Sequence, residues 1–246
     1  MTALRRCLDM LGRAALFGLP VEAIRKRPQR AHSPNGVTRV LRELGRSVHA
    51  TPTEAARTMP GDRLIERPNG TLTHAITIRR PPHGVWPWLA HTEAGSRAGW
   101  YSYDFLANAG QPSAALILPE LQRLWVGMIL PALTREIKQV TLLAFEPERF
   151  LIIRWSTLDN TSPLMTWAFI LEEAERGATR LIVRVRVGPA YDFHGLPWWL
   201  SKRIIAVAHF VMQRKQLLGI ARRAELSSIG DADEAHQTLE GKKAVA

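Results

Sequence analysis

RLIVRVRVGPAYDFHGLPWWLSKRIIAVAHFVMQRKQLLGIARRAEL, residues 180–226, contains the change of period that decides the fold. Leu181, Val183, Val185 and Val187 alternate with Arg180, Arg184 and Arg186, the two-residue period of a strand with one apolar face. Beyond Pro197 the pattern becomes helical. Trp198, Trp199 and Leu200 stand near its start, and Ile204–Met212 is apolar except for His209. Basic pairs punctuate it at Lys202-Arg203, Arg214-Lys215 and Arg222-Arg223. Nine central residues are too few to cross a bilayer. The helix, about residues 196–226, is therefore expected to cover the dry face of a sheet whose arginine face stays wet.

Working back from this stretch, the pattern supplies the rest of that sheet. A hairpin turn at Glu173–Ala178, with Gly177 available for positive φ, precedes the strand quoted. Before it, Met165, Trp167, Phe169 and Leu171 give a strand with a bulky face. Val140–Phe145 and Phe150–Trp155 flank the turn Glu146-Pro147-Glu148. The first strand carries Leu72, His74, Ile76 and Ile78 on one face. It stops at Pro81-Pro82, which can open a helix presenting Val85, Trp86, Trp88 and Leu89. A second helical region is expected over Trp100–Leu124, interrupted near Gly110-Gln111-Pro112. A helical pair, five strands and a long terminal helix predict an α+β fold in which a curved antiparallel sheet grips the C-terminal helix around an interior that a small apolar ligand could occupy.

The formal charge of +11 does not mark a nucleic-acid binder once it is divided along the chain: +7 falls in residues 1–60, +1 in 61–195 and +3 in 196–246. A nucleic-acid module would carry its basic stripe on the folded body, so no specific nucleic acid is expected as a partner. The basic excess sits in a leader where Leu4, Leu8, Leu11 and Ala15 recur at helical spacing beside Arg5, Arg6 and Arg13. Asp9 and Arg13 divide that run, which excludes a secretory core, and no stretch reaches 18 apolar residues. Three segments follow: a basic leader and linker over 1–58, the main domain over 59–226, and a flexible polar tail over 227–246. The lone Cys7 allows no internal disulfide and agrees with a cytoplasmic setting. The leader offers an anionic membrane surface as an alternative location.

Several peptides in the body resemble a known group. They include Pro60-Gly61-Asp62, Ile76-Thr77-Ile78 before Pro81-Pro82, Val85-Trp86-Pro87-Trp88-Leu89 and Ala98-Gly99-Trp100-Tyr101-Ser102-Tyr103-Asp104. Trp167-Ala168-Phe169, Thr179-Arg180-Leu181 and His209-Phe210-Val211-Met212-Gln213-Arg214-Lys215 extend the match, which covers about residues 60–226. Together they look like an uncharacterised bacterial branch of the START-like (SRPBCC, polyketide cyclase-like) superfamily. Met128 departs from that branch, which usually has an acidic residue after Val126-Gly127. The resemblance implies that the domain over 59–226 is a helix-grip fold, with a hydrophobic cavity between sheet and helix used for lipids, sterols, polyketides and other hydrophobic molecules. It implies no particular reaction, because the fold hosts both binders and cyclases.

The chain holds no G-x-S-x-G elbow, H-E-x-x-H, P-loop or G-x-G-x-x-G. No cofactor is implied, and His91-Thr92-Glu93 is too weak a cluster for a metal. Titratable candidates for the cavity are His74, Asp104 and His209. Trp100, Tyr101, Tyr103, Trp155, Trp167 and Met212 complete the expected ligand contacts, since rings with polar tips can line an apolar pocket and orient a guest. Each has a plainer reading: core histidines, core tryptophans, and Asp104 bonded to a neighbouring turn. The expected function is binding or transport of a hydrophobic small molecule, without catalysis. The alternatives are an aromatase or cyclase-like enzyme using His74, Asp104 or His209, and a membrane-associated protein recruited by its leader.

Overall fold

The computed structural model describes residues 46–91, 97–108, 110–130, 139–156, 163–189, 191, 203 and 206–227. Two compact units divide the chain: Met1–Ser47 with Asp192–Arg203, and Val48–Tyr191 with Ile204–Ala246. Every element named below lies in the second. The leader with Cys7, the polar tail, and the start of the long helix lie outside the described residues.

Six strands form one antiparallel sheet: β1 (Gly70–Ile78), β2 (Ile129–Leu130), β3 (Gln139–Glu146), β4 (Phe150–Ser156), β5 (Pro163–Ala174) and β6 (Ala178–Val187), in the order β1-β6-β5-β4-β3-β2. The first strand thus joins the last, pairing His74 with Val183 and Ile76 with Leu181. Five of these strands are those the alternation predicts, and the two-residue β2 is added at the edge. Arg176 and Gly177 both adopt positive φ (59° and 68°) to close the β5–β6 hairpin, the expected turn.

The inner face carries Ile76, Ile78, Leu142, Ile153, Phe169, Leu181, Val183 and Val185, all buried. Two helices cover it. In α2 (Pro82–Ala90), which begins on a proline as predicted, Val85, Trp88 and Leu89 are buried. In α4, residues 206–227, the buried positions Leu217, Ile220, Ala221 and Ala224 recur at helical spacing and define one apolar stripe. The Arg79 N–H donates to Glu225 Oε1 (3.0 Å), tying the end of β1 to the end of α4.

The outer face corrects one expectation: it is not wet. Residues 48–65 lie across it as a strap that includes α1 (Pro52–Ala56). Val48 is buried and its carbonyl accepts from the Ala75 N–H (3.2 Å), while Met59 packs with Ala75, Ile152, Ala168, Ile170 and Ile182. Residues 48–58 therefore pack with the sheet, before the position where composition places the start of the body. Arg184 is only 4% exposed. Its guanidinium donates to the carbonyls of Glu54 (2.7 Å), Ala55 (2.8 Å) and Arg57 (2.7 Å), to Asp62 Oδ2 (2.9 Å) and to Thr73 Oγ1 (3.2 Å). Alternation of apolar and charged residues reports one apolar face; it does not report that arginines on the other face are buried by hydrogen bonding to chain distant in sequence.

A capping box starts α1. The Glu54 N–H donates to Thr51 Oγ1 and the Thr51 N–H donates back to Glu54 Oε2. The same carboxylate receives Arg180 Nε (2.7 Å) and Nη2 (2.9 Å). This guanidinium outweighs the desolvation of Glu54, so its pKa falls from 4.5 to about 2. A carboxylate that binds its proton less tightly folded than unfolded contributes stability above its unfolded pKa and loses it as pH falls through the folded one. Stability should therefore drop between about pH 4.5 and pH 2. Denaturant titration over that range should show a weaker acid dependence in Glu54→Gln, and an identical dependence would refute the assignment.

The stretch Trp100–Leu124 also differs from its expectation. Among the described residues it contains only α3 (Asp104–Ala107) and a 3-10 turn at Pro119–Leu121. Gly99 (φ 87°), Tyr101 (φ 56°) and Gly110 (φ 80°) hold left-handed backbone that a continuing α-helix cannot accommodate.

Candidate functional site

Strand period and register assemble one group of rings on the inner face. Trp155 of β4 stands opposite Met165, and Trp167 of β5 is one pleat further along the same face. His74 of β1 is separated from β5 by the whole of β6, roughly two strand spacings of about 4.8 Å each. The gap is closed by α4. His209 stacks on His74 (centroids 5.3 Å apart, 24° between planes) and lies 5.5 Å from Trp167. Trp100, from the loop after α2, stacks on Trp167 (5.6 Å) and meets Trp155 edge-on (6.3 Å). His74, Trp100, Trp155, Trp167 and His209, scattered over 136 positions of sequence, thus form one continuous aromatic wall.

That wall has five shielded ring nitrogens without a hydrogen-bond partner among the described residues: Nε2 of His74, Nδ1 and Nε2 of His209, and Nε1 of Trp155 and Trp167. Leaving a buried donor or acceptor unmade costs about 1–3 kcal/mol, so a polar partner at any of these nitrogens would be favourable. Burial also lowers both histidine pKa values, and each imidazole disfavours charge on a neighbour. His209 is brought down to about 3, and His74 is lowered by burial and by His49. At neutral pH both rings are uncharged, each with one donor and one acceptor nitrogen. The wall therefore holds donors and acceptors between its aromatic faces.

The other sequence candidates stand apart. The Tyr101 hydroxyl bonds His91 Nε2 (2.8 Å), and its ring sits under Arg223 (4.6 Å) and edge-on to Trp88 (6.0 Å). His91 Nδ1 accepts from the Leu118 N–H (3.4 Å), so Nε2 carries the proton given to Tyr101. Burial lowers the His91 pKa to about 4, consistent with that neutral tautomer. Asp104 accepts from the Ser113 hydroxyl, and Ser113 Oγ accepts from the Tyr101 N–H (3.1 Å). Both residues thus brace the loop against α4. Tyr103 is exposed, and Met212 is half-buried with its carbonyl accepting from the Ser102 hydroxyl (2.8 Å).

Three further rings join the wall without having been singled out. Phe169 lies parallel to Trp167 (6.2 Å, 8°), and Phe210 tilts against His74 (5.7 Å) and against His49 (5.7 Å). Phe169 was legible as the next residue on the Trp167 face. His49 left no signal, because it reaches the site only through the bridge between the strap and His74. The interior near α2 is close-packed: Leu89, Leu130, Leu142, Leu151 and Phe169 leave a void of about 10 Å³, room for one water. A larger guest has no space at that end. Among the described residues no group of three or more metal-binding side chains occurs, and no helix is long and apolar enough to cross a membrane.

A six-stranded antiparallel sheet whose first and last strands pair, with the terminal helix laid over its inner face, settles the class. The chain has a helix-grip fold. No protein-family model and no curated protein matches it. Among solved structures it is similar to a protein of Nitrosomonas europaea, at 12% identity and a TM-score of 0.41 over 65% of this chain and 97% of that one. A polyketide-cyclase-like protein of Corynebacterium glutamicum gives 16% identity and a TM-score of 0.38, covering 69% and 95%. A protein of Micromonospora echinospora gives 13% and 0.35, covering 69% and 90%. At these values the helix-grip assignment rests on the strand order and the helix rather than on the neighbours.

Proposed function

We propose that this START-like protein binds a hydrophobic small molecule carrying hydroxyl or carbonyl groups, held against the aromatic wall of His74, Trp100, Trp155, Trp167 and His209. The observation that carries this reading is the set of five unpartnered ring nitrogens on an otherwise apolar surface. A pure hydrocarbon would leave them unsatisfied, and an ionised guest would find neutral rings in place of a counter-charge. A neutral molecule with a few oxygens satisfies both the apolar faces and the nitrogens.

Native mass spectrometry of gently purified protein should show a bound mass of small-molecule size that is lost in Trp167→Ala. A protein that is empty from every expression host, with the same spectrum in wild type and variant, would defeat the proposal. His209→Phe offers a second test with two readouts. The phenyl ring keeps the stacking area and removes two shielded nitrogens, so the unliganded protein should be stabilised by about 1–2 kcal/mol while retention of the guest falls. If the variant is destabilised and retention is unchanged, His209 has another role.

A cyclase-like activity is the weaker reading. General base work is most effective at a pKa near the operating pH, and burial leaves His209 at about 3 and lowers His74. Asp104, the third candidate, is taken up by Ser113.

A further inference from the structure

The outer face carries a second, unassigned concavity. Between the strap and the β3–β4 pair runs an open groove of about 580 Å³, walled by Met59, Leu64, Leu143, Ala144 and Ile152 with Arg63 on its edge. Its size falls within the range of small-molecule sites. Register explains why it exists. The pairing of β3 with β4 slips between Leu142 and Ala144, so Leu143 is an extra residue with no partner opposite, and a bulge of this kind re-aims side chains. Ala144 pairs with Ile152 on the outer face, while Ile153 and Trp155 point inward, so the sheet separates this groove from the aromatic wall.

Two features indicate what would fill it. The walls are apolar, and Leu64 is left 45% exposed at the rim. Arg63 is exposed and makes no hydrogen bond or ion pair among the described residues, unlike Arg180, Arg184 and Arg186, which are all engaged by the strap. An apolar trough ending at an uncommitted guanidinium is complementary to an alkyl chain ending in an anion. We propose that this groove binds a free anionic amphiphile, a chain of fatty-acid type with its carboxylate on Arg63. This assignment is independent of the guest on the inner face.

Dodecanoate and its neutral counterpart dodecanol are suitable probes, titrated by calorimetry into the full chain. Dodecanoate should bind, and dodecanol at least about fivefold more weakly. Arg63→Glu and Leu64→Asp, both at exposed positions and each checked as folded by its thermal unfolding, should each weaken dodecanoate about tenfold. Ala144→Trp, which fills the trough, should do the same if its thermal unfolding shows it folded. Trp167→Ala should leave this affinity unchanged. The proposal is overturned if dodecanoate fails to bind at about 1 mM, if Arg63→Glu and Leu64→Asp leave affinity intact, or if Trp167→Ala abolishes binding, which would place the acid on the inner wall.

Discussion

Replacing Arg184 by methionine should lower the unfolding free energy by about 3–5 kcal/mol, the range for removing one partner of a buried, hydrogen-bonded ion pair. Arg184 makes five hydrogen bonds, three of them to carbonyls of the strap, so methionine removes the donors and leaves Asp62 with the Met59 N–H (2.9 Å) and, as its one remaining cation among the described residues, the more distant Arg186 at 3.5 Å. Loss of these bonds should also free residues 52–62 from the sheet, which limited proteolysis at Arg57 or Arg63 would detect. The control is Arg180→Met on the same strand. Its pair with Glu54 is 21% and 15% exposed in the two side chains, and a more hydrated pair should cost less, about 2 kcal/mol. Equal losses from the two variants in urea denaturation would mean that Arg184 does not anchor the strap.

Gly219→Ala should be destabilising where helix chemistry alone predicts the reverse. In the interior of a helix alanine is favoured over glycine by about 1 kcal/mol. Here a β-carbon on residue 219 would stand 2.3 Å from the Tyr101 carbonyl oxygen and 3.0 Å from its β-carbon. Backbone cannot yield as a flexible side-chain tip can, and Tyr101 is pinned by His91, Arg223 and Ser113. Forcing α4 away from this loop should cost about 1–3 kcal/mol of overpacking beyond the propensity gain. It should also displace His209 from Trp167, so weaker retention of the inner-face guest is expected with the same substitution. An unchanged or raised melting temperature would show that α4 does not approach Tyr101 this closely.

Different parts of the fold left traces of different strength in the sequence. β6 was readable because Leu181, Val183, Val185 and Val187 alternate with three arginines, and the terminal helix because of the apolar run Ile204–Met212; within that run Val207 and Val211 are exposed, and the buried stripe of Leu217, Ile220, Ala221 and Ala224 lies beyond it. Such periods are local, and a local pattern reports which face is apolar. The stretch after Gly99 was misread as helical because its composition allows a helix. What prevents one is left-handed backbone at Tyr101, held in place by Ser113, twelve residues away, and by contacts with α4. At the site, Trp155 and Trp167 were legible as residues of one sheet face, whereas the roles of Tyr101 and Asp104 were not. Both are polar and adjacent to Trp100, but their partners His91 and Ser113 are supplied by neighbouring loops.

By itself, then, the chain's order of residues determined its strands, the covering helix, and the class of architecture, because apolar periodicity is written one element at a time. Tertiary structure alone decided that Arg184 of β6 is buried, and Arg180 and Arg186 half-buried, under a strap from residues 48–65, and that His74, Trp167 and His209 meet. Those outcomes depend on pairings between segments more than 40 positions apart, and the free energy of such pairings resides in distances and orientations that no local pattern encodes.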